Sequence, residues 1–146
     1  MGRVALDARR RIVPLEDFDA ARWEDVEDVV SGIGLLVADG RPVSGLGPER
    51  ASPGFDIARH PRSLVGVDRR GHLWLVAVDG RRPGHSLGMT FRELQGLAAL
   101  LGLTDALNLD GGGSTTLVAL GRILNCPSDA AGPRAVSDAI VVLPAR

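Results

Sequence analysis

Two apolar runs, Ser63-Leu64-Val65-Gly66-Val67-Asp68 and Leu73-Trp74-Leu75-Val76-Ala77-Val78, flank the short break Arg69-Arg70-Gly71 and constrain the fold more than any other part of the chain. Runs of this length, rich in strand formers and separated by a glycine-bearing turn, read as a β-hairpin. The same grammar recurs upstream, where Gly34-Leu35-Leu36-Val37-Ala38 reads as a buried strand that Asp39-Gly40 turns into Pro42-Val43. Further strands are expected at residues 106–109, 115–120, around Ile123 and at 136–142. Near the N-terminus, an edge strand at Val4-Ala5-Leu6 and a shorter one at Ile12-Val13 bracket an arginine-rich turn.

Helical signals are fewer. Thr90-Phe91-Arg92-Glu93 has the form of a capping box, with Met89 placed to staple against Leu94. Leu94, Leu97, Ala98 and Leu101 then fall on one helical face, and Gly102 supplies the stop, so a helix is predicted over about residues 90–101. A shorter amphipathic helix is expected in residues 17–30, where Phe18, Trp23, Val26, Val29 and Val30 recur among acidic residues. Hairpin-linked strands with one well-formed helix make the fold class α+β, with a mixed, largely antiparallel sheet.

At 146 residues and 45% hydrophobic content, the chain reads as one domain, 1–146. Its 17 basic and 18 acidic residues nearly cancel, which argues against a nucleic-acid partner. Cys126 is the lone cysteine and reads as a small, buried or half-buried apolar residue. No run reaches the length of a membrane span and no signal peptide is recognisable. The chain taken as complete would be cytoplasmic. Three Phe, two Trp and no Tyr leave few candidates for stacking on a sugar or base.

One stretch exceeds what packing demands: Asn108-Leu109-Asp110-Gly111-Gly112-Gly113-Ser114-Thr115-Thr116. Asp-Gly between apolar runs is a turn signal by itself, but a tight turn needs only one or two positive φ values. The third glycine and the hydroxyl run suit a backbone that approaches a polar ligand, so the segment reads as a turn that is also a site. Asn108 and Asp110, two apart on a strand, share a face opposite Leu107 and Leu109. Asp110 could bind a sugar hydroxyl, hold a divalent cation or act in acid/base chemistry; otherwise it caps the turn. Gly111, Gly112 and Gly113 could offer backbone N–H groups to an anion, although no Gly-Lys-Ser/Thr follows and the dinucleotide fingerprint is absent.

Asp79-Gly80-Arg81 ends another strand, while Arg62 precedes one and Arg134 sits in a Gly/Pro loop. Each arginine alone reads as a surface residue, yet planar forks converging from several strand ends suit phosphate or carboxylate. The capping box fully accounts for Glu93. His60, His72 and His85 share no ligand spacing, and His72 should be exposed in its hairpin. No serine-nucleophile elbow is present, and no cofactor is expected.

Pro61-Arg62-Ser63-Leu64-Val65-Gly66, Val78-Asp79-Gly80-Arg81, Leu87-Gly88-Met89-Thr90 with Glu93-Leu94, residues 108–116, and residues 125–129 with Arg134 and Val136-Ser137 resemble, in order and spacing, the motifs of the phosphodiester glycosidase family. The resemblance runs from about Gly32 to the end. It implies hydrolysis of a sugar-1-phosphodiester at the anomeric carbon, releasing sugar and a phosphomonoester. It further implies that Arg62, Arg81 and Arg134 hold phosphate, and that residues 111–113 with Ser114 contact phosphate or sugar. Asn108, Thr115 and Ser137 then join the substrate-binding set, and Asp79 and Asp110 are the catalytic candidates. Bacterial relatives are generally extracytoplasmic.

Three departures accompany the likeness. The family's N-terminal portion, which contributes an Asn-Gly-rich aromatic motif, is expected to be missing, so the chain reads as N-terminally shortened. His85 stands where an aromatic is common, and Asp138 follows Ser137 where Asn is usual. Two readings stay open: a catalytic glycosidase, or a non-catalytic module that binds a sugar phosphate or glycan.

Overall fold

The computed structural model describes residues 4–6, 12–14, 30–44, 51 and 53–143, and the hairpin that dominates the sequence is present. β1 (Val4–Leu6) and β2 (Ile12–Pro14) pair with one another. β3 (Leu35–Ala38) turns into β4 (Arg41–Pro42) through Asp39 and Gly40, both at positive φ, as a two-residue hairpin of matching twist requires. β5 (Arg62–Asp68) and β6 (Leu73–Val78) form the longest hairpin, at one side of the sheet. α1 (Phe91–Leu100) then carries the chain to β7 (Leu103–Asn108), which ends in a 3-10 turn at Gly112–Ser114. β8 (Val118–Ala119) and β9 (Arg122–Ile123) close a small second hairpin.

The main sheet runs β4-β3-β7-β5-β6, with β6 at one edge. Every pairing in it is antiparallel, so the sheet is more uniform than a mixed one. Register decides where the chemistry gathers. Arg62, at the start of β5, pairs with Val78 at the end of β6, and Leu64 pairs with Asn108 at the end of β7. Three segments rich in polar residues therefore leave the sheet at the same end.

The expected capping box is present. Thr90 Oγ1 accepts from the Glu93 N–H, and the Glu93 carboxylate accepts from the Thr90 N–H at 2.9 Å. Phe91, Leu94 and Ala98 are buried against Leu36, Val37, Leu64, Leu103 and Ala106, with Met89, Leu97 and Leu101 packed around them. Removing that apolar surface from water supplies the main force that seats α1. The opposite sheet face buries Val65 and Leu107 under Leu35, Leu73, Leu75, Leu109 and Ile140.

Two expected strands differ. Residues 115–120 yield only Val118–Ala119, because Asn125 takes up the Leu117 N–H and the Thr115 carbonyl with its side chain. Residues 136–142 form no strand. Ile140 packs onto the sheet's second face, so the segment crosses a face instead of lying along an edge, where a ladder could form. The helix expected in residues 17–30 lies outside the described residues apart from Val30.

Candidate active site

The glycine triplet is where the polar segments meet, and each glycine answers to a different neighbour. A Cβ on Gly111 would stand 2.6 Å from the Pro61 carbonyl oxygen. Gly112 has φ +63°, and a Cβ there would stand 2.9 Å from the Arg81 guanidinium. A Cβ on Gly113 would collide with the side chains of Arg134 and Asp129. The third glycine is thus explained by a third close approach. The Gly112 N–H donates to the Pro61 carbonyl at 3.0 Å, which pins the turn to the start of β5.

Two guanidinium groups consequently lie against consecutive Cα positions. Arg81, itself at φ +56°, donates through Nε to His60 Nδ1 at 3.2 Å. Burial, then the charges of Arg81 and Arg62, push the His60 pKa down, which keeps its ring neutral and able to accept that bond. Arg134 is held by Asp129, with Nε 2.9 Å and Nη2 2.8 Å from the same carboxylate oxygen. Half of the Arg134 side chain stays exposed, so its remaining donors face outward.

A cavity of about 810 Å³ opens beside this turn on the face of the sheet away from α1. Asp110, Ser114, Arg134, Ser137 and Asp138 line it. Asp110 is exposed, past the end of β7, and its Oδ1 accepts from the Gly111 N–H at 2.9 Å. Ser63 and Thr116 also line the cavity, and the Ser63 hydroxyl donates to buried Thr115 at 3.2 Å.

Asp79 is committed on both oxygens. Oδ1 accepts from the Cys126 N–H at 2.7 Å and from Asn125 Nδ2 at 3.2 Å, and Oδ2 lies 2.9 Å from His85 Nε2. Burial works to raise its pKa, but the bonds from His85, Cys126 and Asn125 prevail and hold it below the usual carboxylate range. Such a carboxylate stays ionised, which fits a fixed anion better than a proton donor. The other Asn125 contacts, to the Thr115 carbonyl and the Leu117 N–H, join Asp79 to the glycine turn.

Arg62 and Asn108 lie apart from the cavity lining. Arg62 is 2% exposed; its Nε donates to the Met89 carbonyl, and its Nη2 donates to the carbonyls of Phe55 and Ala58. Its guanidinium also stacks over the Phe55 ring, 4.7 Å from the centroid. Buried Asn108 donates to the Ile33 carbonyl at 2.8 Å. Both fasten loops to the sheet.

Sequence reasoning missed His60, His85, Asn125 and Asp129 as members of this constellation. The polar stretch Asn125-Cys126-Pro127-Ser128-Asp129 was a visible signal, but its partners lie far along the chain. Among the described residues, no three His, Cys, Asp or Glu side chains gather to hold a metal. No helix among them is long and apolar enough to cross a membrane.

With this geometry in place, comparison with known proteins becomes informative. The phosphodiester glycosidase family model matches residues 2–143. The chain belongs to that family. Over 68 residues it is 40% identical to N-acetylglucosamine-1-phosphodiester alpha-N-acetylglucosaminidase of Bos taurus, a stretch covering 47% of this chain and 12% of the bovine protein. Its fold is similar to the catalytic domain of the zebrafish enzyme of that name, with a TM-score of 0.67 at 24% identity over 88% of this chain and 45% of that one. A Burkholderia pseudomallei protein whose name describes it as exported is 44% identical, with a TM-score of 0.55 over 57% of this chain and 16% of that one. The chain thus spans a small part of these bovine and bacterial relatives.

Proposed function

We propose that this phosphodiester glycosidase domain hydrolyses a sugar-1-phosphodiester at the anomeric carbon. Water adds to that carbon, the bond from it to the phosphate oxygen breaks, and sugar and a phosphomonoester leave. The observation that carries this reading is the placement of Arg81 and Arg134 against consecutive glycines, Gly112 and Gly113. Two planar cations, both exposed and packed on a buried glycine turn, make a cradle for a phosphate that gains charge as it departs. A phosphodiester is already a good leaving group, so stabilising that charge matters more than protonating it.

In this reading Asp110 is the acid/base or charge-stabilising carboxylate, because it alone of the two candidates lines the cavity and has an oxygen to spare. Asp79 becomes a positioning residue that sets His85, Asn125 and the loop after the glycine turn. Ser114 and Ser137 supply hydroxyls to the substrate. Arg62, Asn108 and Thr115 support the site from the core. The bacterial relative named as exported supports an extracytoplasmic setting.

The test is a sugar-1-phosphodiester carrying a chromogenic alcohol, with free sugar and phosphomonoester both assayed. Wild type should release sugar, and Asp110→Asn should fold normally while losing most of its rate. Binding of sugar phosphate that Arg134→Ala weakens, without any sugar release, would establish a binding module instead.

A further inference from the structure

The cavity is amphiphilic. Asp110, Ser114 and Arg134 form its polar end at the glycine turn, Ser31, Ser63, Thr116, Ser137 and Asp138 add further polar groups, and Leu75, Ala77, Leu109, Leu117, Val136 and Ile140 make an aliphatic strip. Register gives the strip a direction. Ala77 pairs with Ser63 near the site end of the sheet, and Leu75 pairs with Val65 two residues further in. The apolar surface therefore runs inward along the sheet face from the place where a phosphate would sit.

Two features decide what such a strip can receive. At about 810 Å³ the space lies in the upper part of the range for small-molecule sites, leaving room beyond a sugar phosphate. Among the described residues, none that lines it is aromatic. Phe55, Phe91 and Trp74 are all spent on the opposite, helix-side core. Along the aliphatic strip a second sugar would meet no stacking ring among the described residues. An aliphatic group would instead exchange water for methyl and methylene contacts along its length.

We infer that the domain is selective for phosphodiesters whose second alcohol is aliphatic, with the phosphate at Arg134, the guanidinium that lines the cavity, and the alkyl chain along the strip from Leu75 to Ile140. The inference rests on the phosphodiester reading of the site for the orientation of the ligand. Its own content is the chemistry of the group beyond the phosphate.

The test compares binding of octyl phosphate, below its micelle concentration, with binding of methyl phosphate by titration calorimetry, alongside turnover of a methyl sugar-1-phosphodiester. Octyl phosphate should bind at least about tenfold more tightly, since each buried methylene adds to the gain. Val136→Asp and Val118→Asp, both at residues more than half exposed and so tolerant of charge, should each erase most of that preference. Equal affinity for the two phosphates, with the methyl diester still hydrolysed, overturns the inference and leaves the glycosidase reading intact. Octyl preference without turnover sustains the inference and overturns the hydrolase reading. An octyl preference that both variants retain also overturns the inference, as does binding of neither phosphate.

Discussion

Asn125 donates to Asp79 across 3.2 Å and so ties the end of β6 to the loop that follows the glycine turn, 46 residues later. The same amide reaches the Thr115 carbonyl, and the neighbouring Cys126 N–H reaches the other lone pair of Asp79 Oδ1. A charged acceptor with three donors is a fixed point of the structure.

Replacing that acceptor should register as a stability loss. Asp79→Asn turns an NH₂ toward at least one donor, and urea unfolding at neutral pH should show a cost of about 1–3 kcal/mol. Although burial pulls the other way, the donors leave the folded-state pKa of Asp79 depressed. Its stabilisation is therefore present above the unfolded-state pKa of about 3.9 and fades as pH falls through the lower folded value. The midpoints of wild type and variant should converge as pH falls below the depressed folded value.

Thr90→Ala should lower stability by about 1 kcal/mol through loss of the α1 cap, and sugar release should persist. Glu93→Gln should likewise keep its turnover, since the Glu93 carboxylate serves the helix start and an ion pair with Arg59. A well-folded Glu93→Gln protein without activity would move Glu93 into the catalytic set.

The glycine triplet should separate fold from function. Gly111→Ala sets a methyl against the Pro61 backbone, which cannot yield, and should cost about 1–3 kcal/mol in denaturant titrations. Gly112→Ala meets the flexible end of Arg81, so phosphate affinity should fall further than the lone φ +63° strain lowers stability. Equal damage from the two substitutions would contradict this division.

Arg62→Met should remove the side-chain donor from the Phe55 and Ala58 carbonyls, leave Met89 with only the His60 N–H, and destabilise the fold by about 2–4 kcal/mol. Unfolding midpoints should shift accordingly, with Arg62→Lys recovering only part of the loss because an ammonium lacks the planar fork.

How legible all this was depended on sequence distance. The α1 cap, its buried stripe and both main-sheet hairpins were plain because their determinants sit within a few residues of each other. Of the residues singled out in advance, Asp110, Ser114, Arg134 and Ser137 line one cavity, whereas Arg62, Asp79, Arg81 and Asn108 are not among its lining residues. Arg62 could not be placed from sequence, since its partners are carbonyls of a loop without periodicity. His85 and Asp79 are close in the chain, but the choice of Asp79 as their meeting point was set by Asn125 and Cys126 from far downstream. Residues 136–142 had the composition of a strand, and composition cannot reveal that Ile140 seats them on a sheet face, away from any edge where a ladder forms.

β6 ends the sheet with Leu73-Trp74-Leu75-Val76-Ala77-Val78, six residues without a charge or a proline. Among the described residues no strand lies beyond it. Sheets ordinarily guard such a border with lysines, prolines or bulges, and a net charge of −1 gives little mutual repulsion between copies. Among the described residues this border is open to pairing with a second copy of the chain, so a charged residue introduced on β6 should reduce association at high concentration.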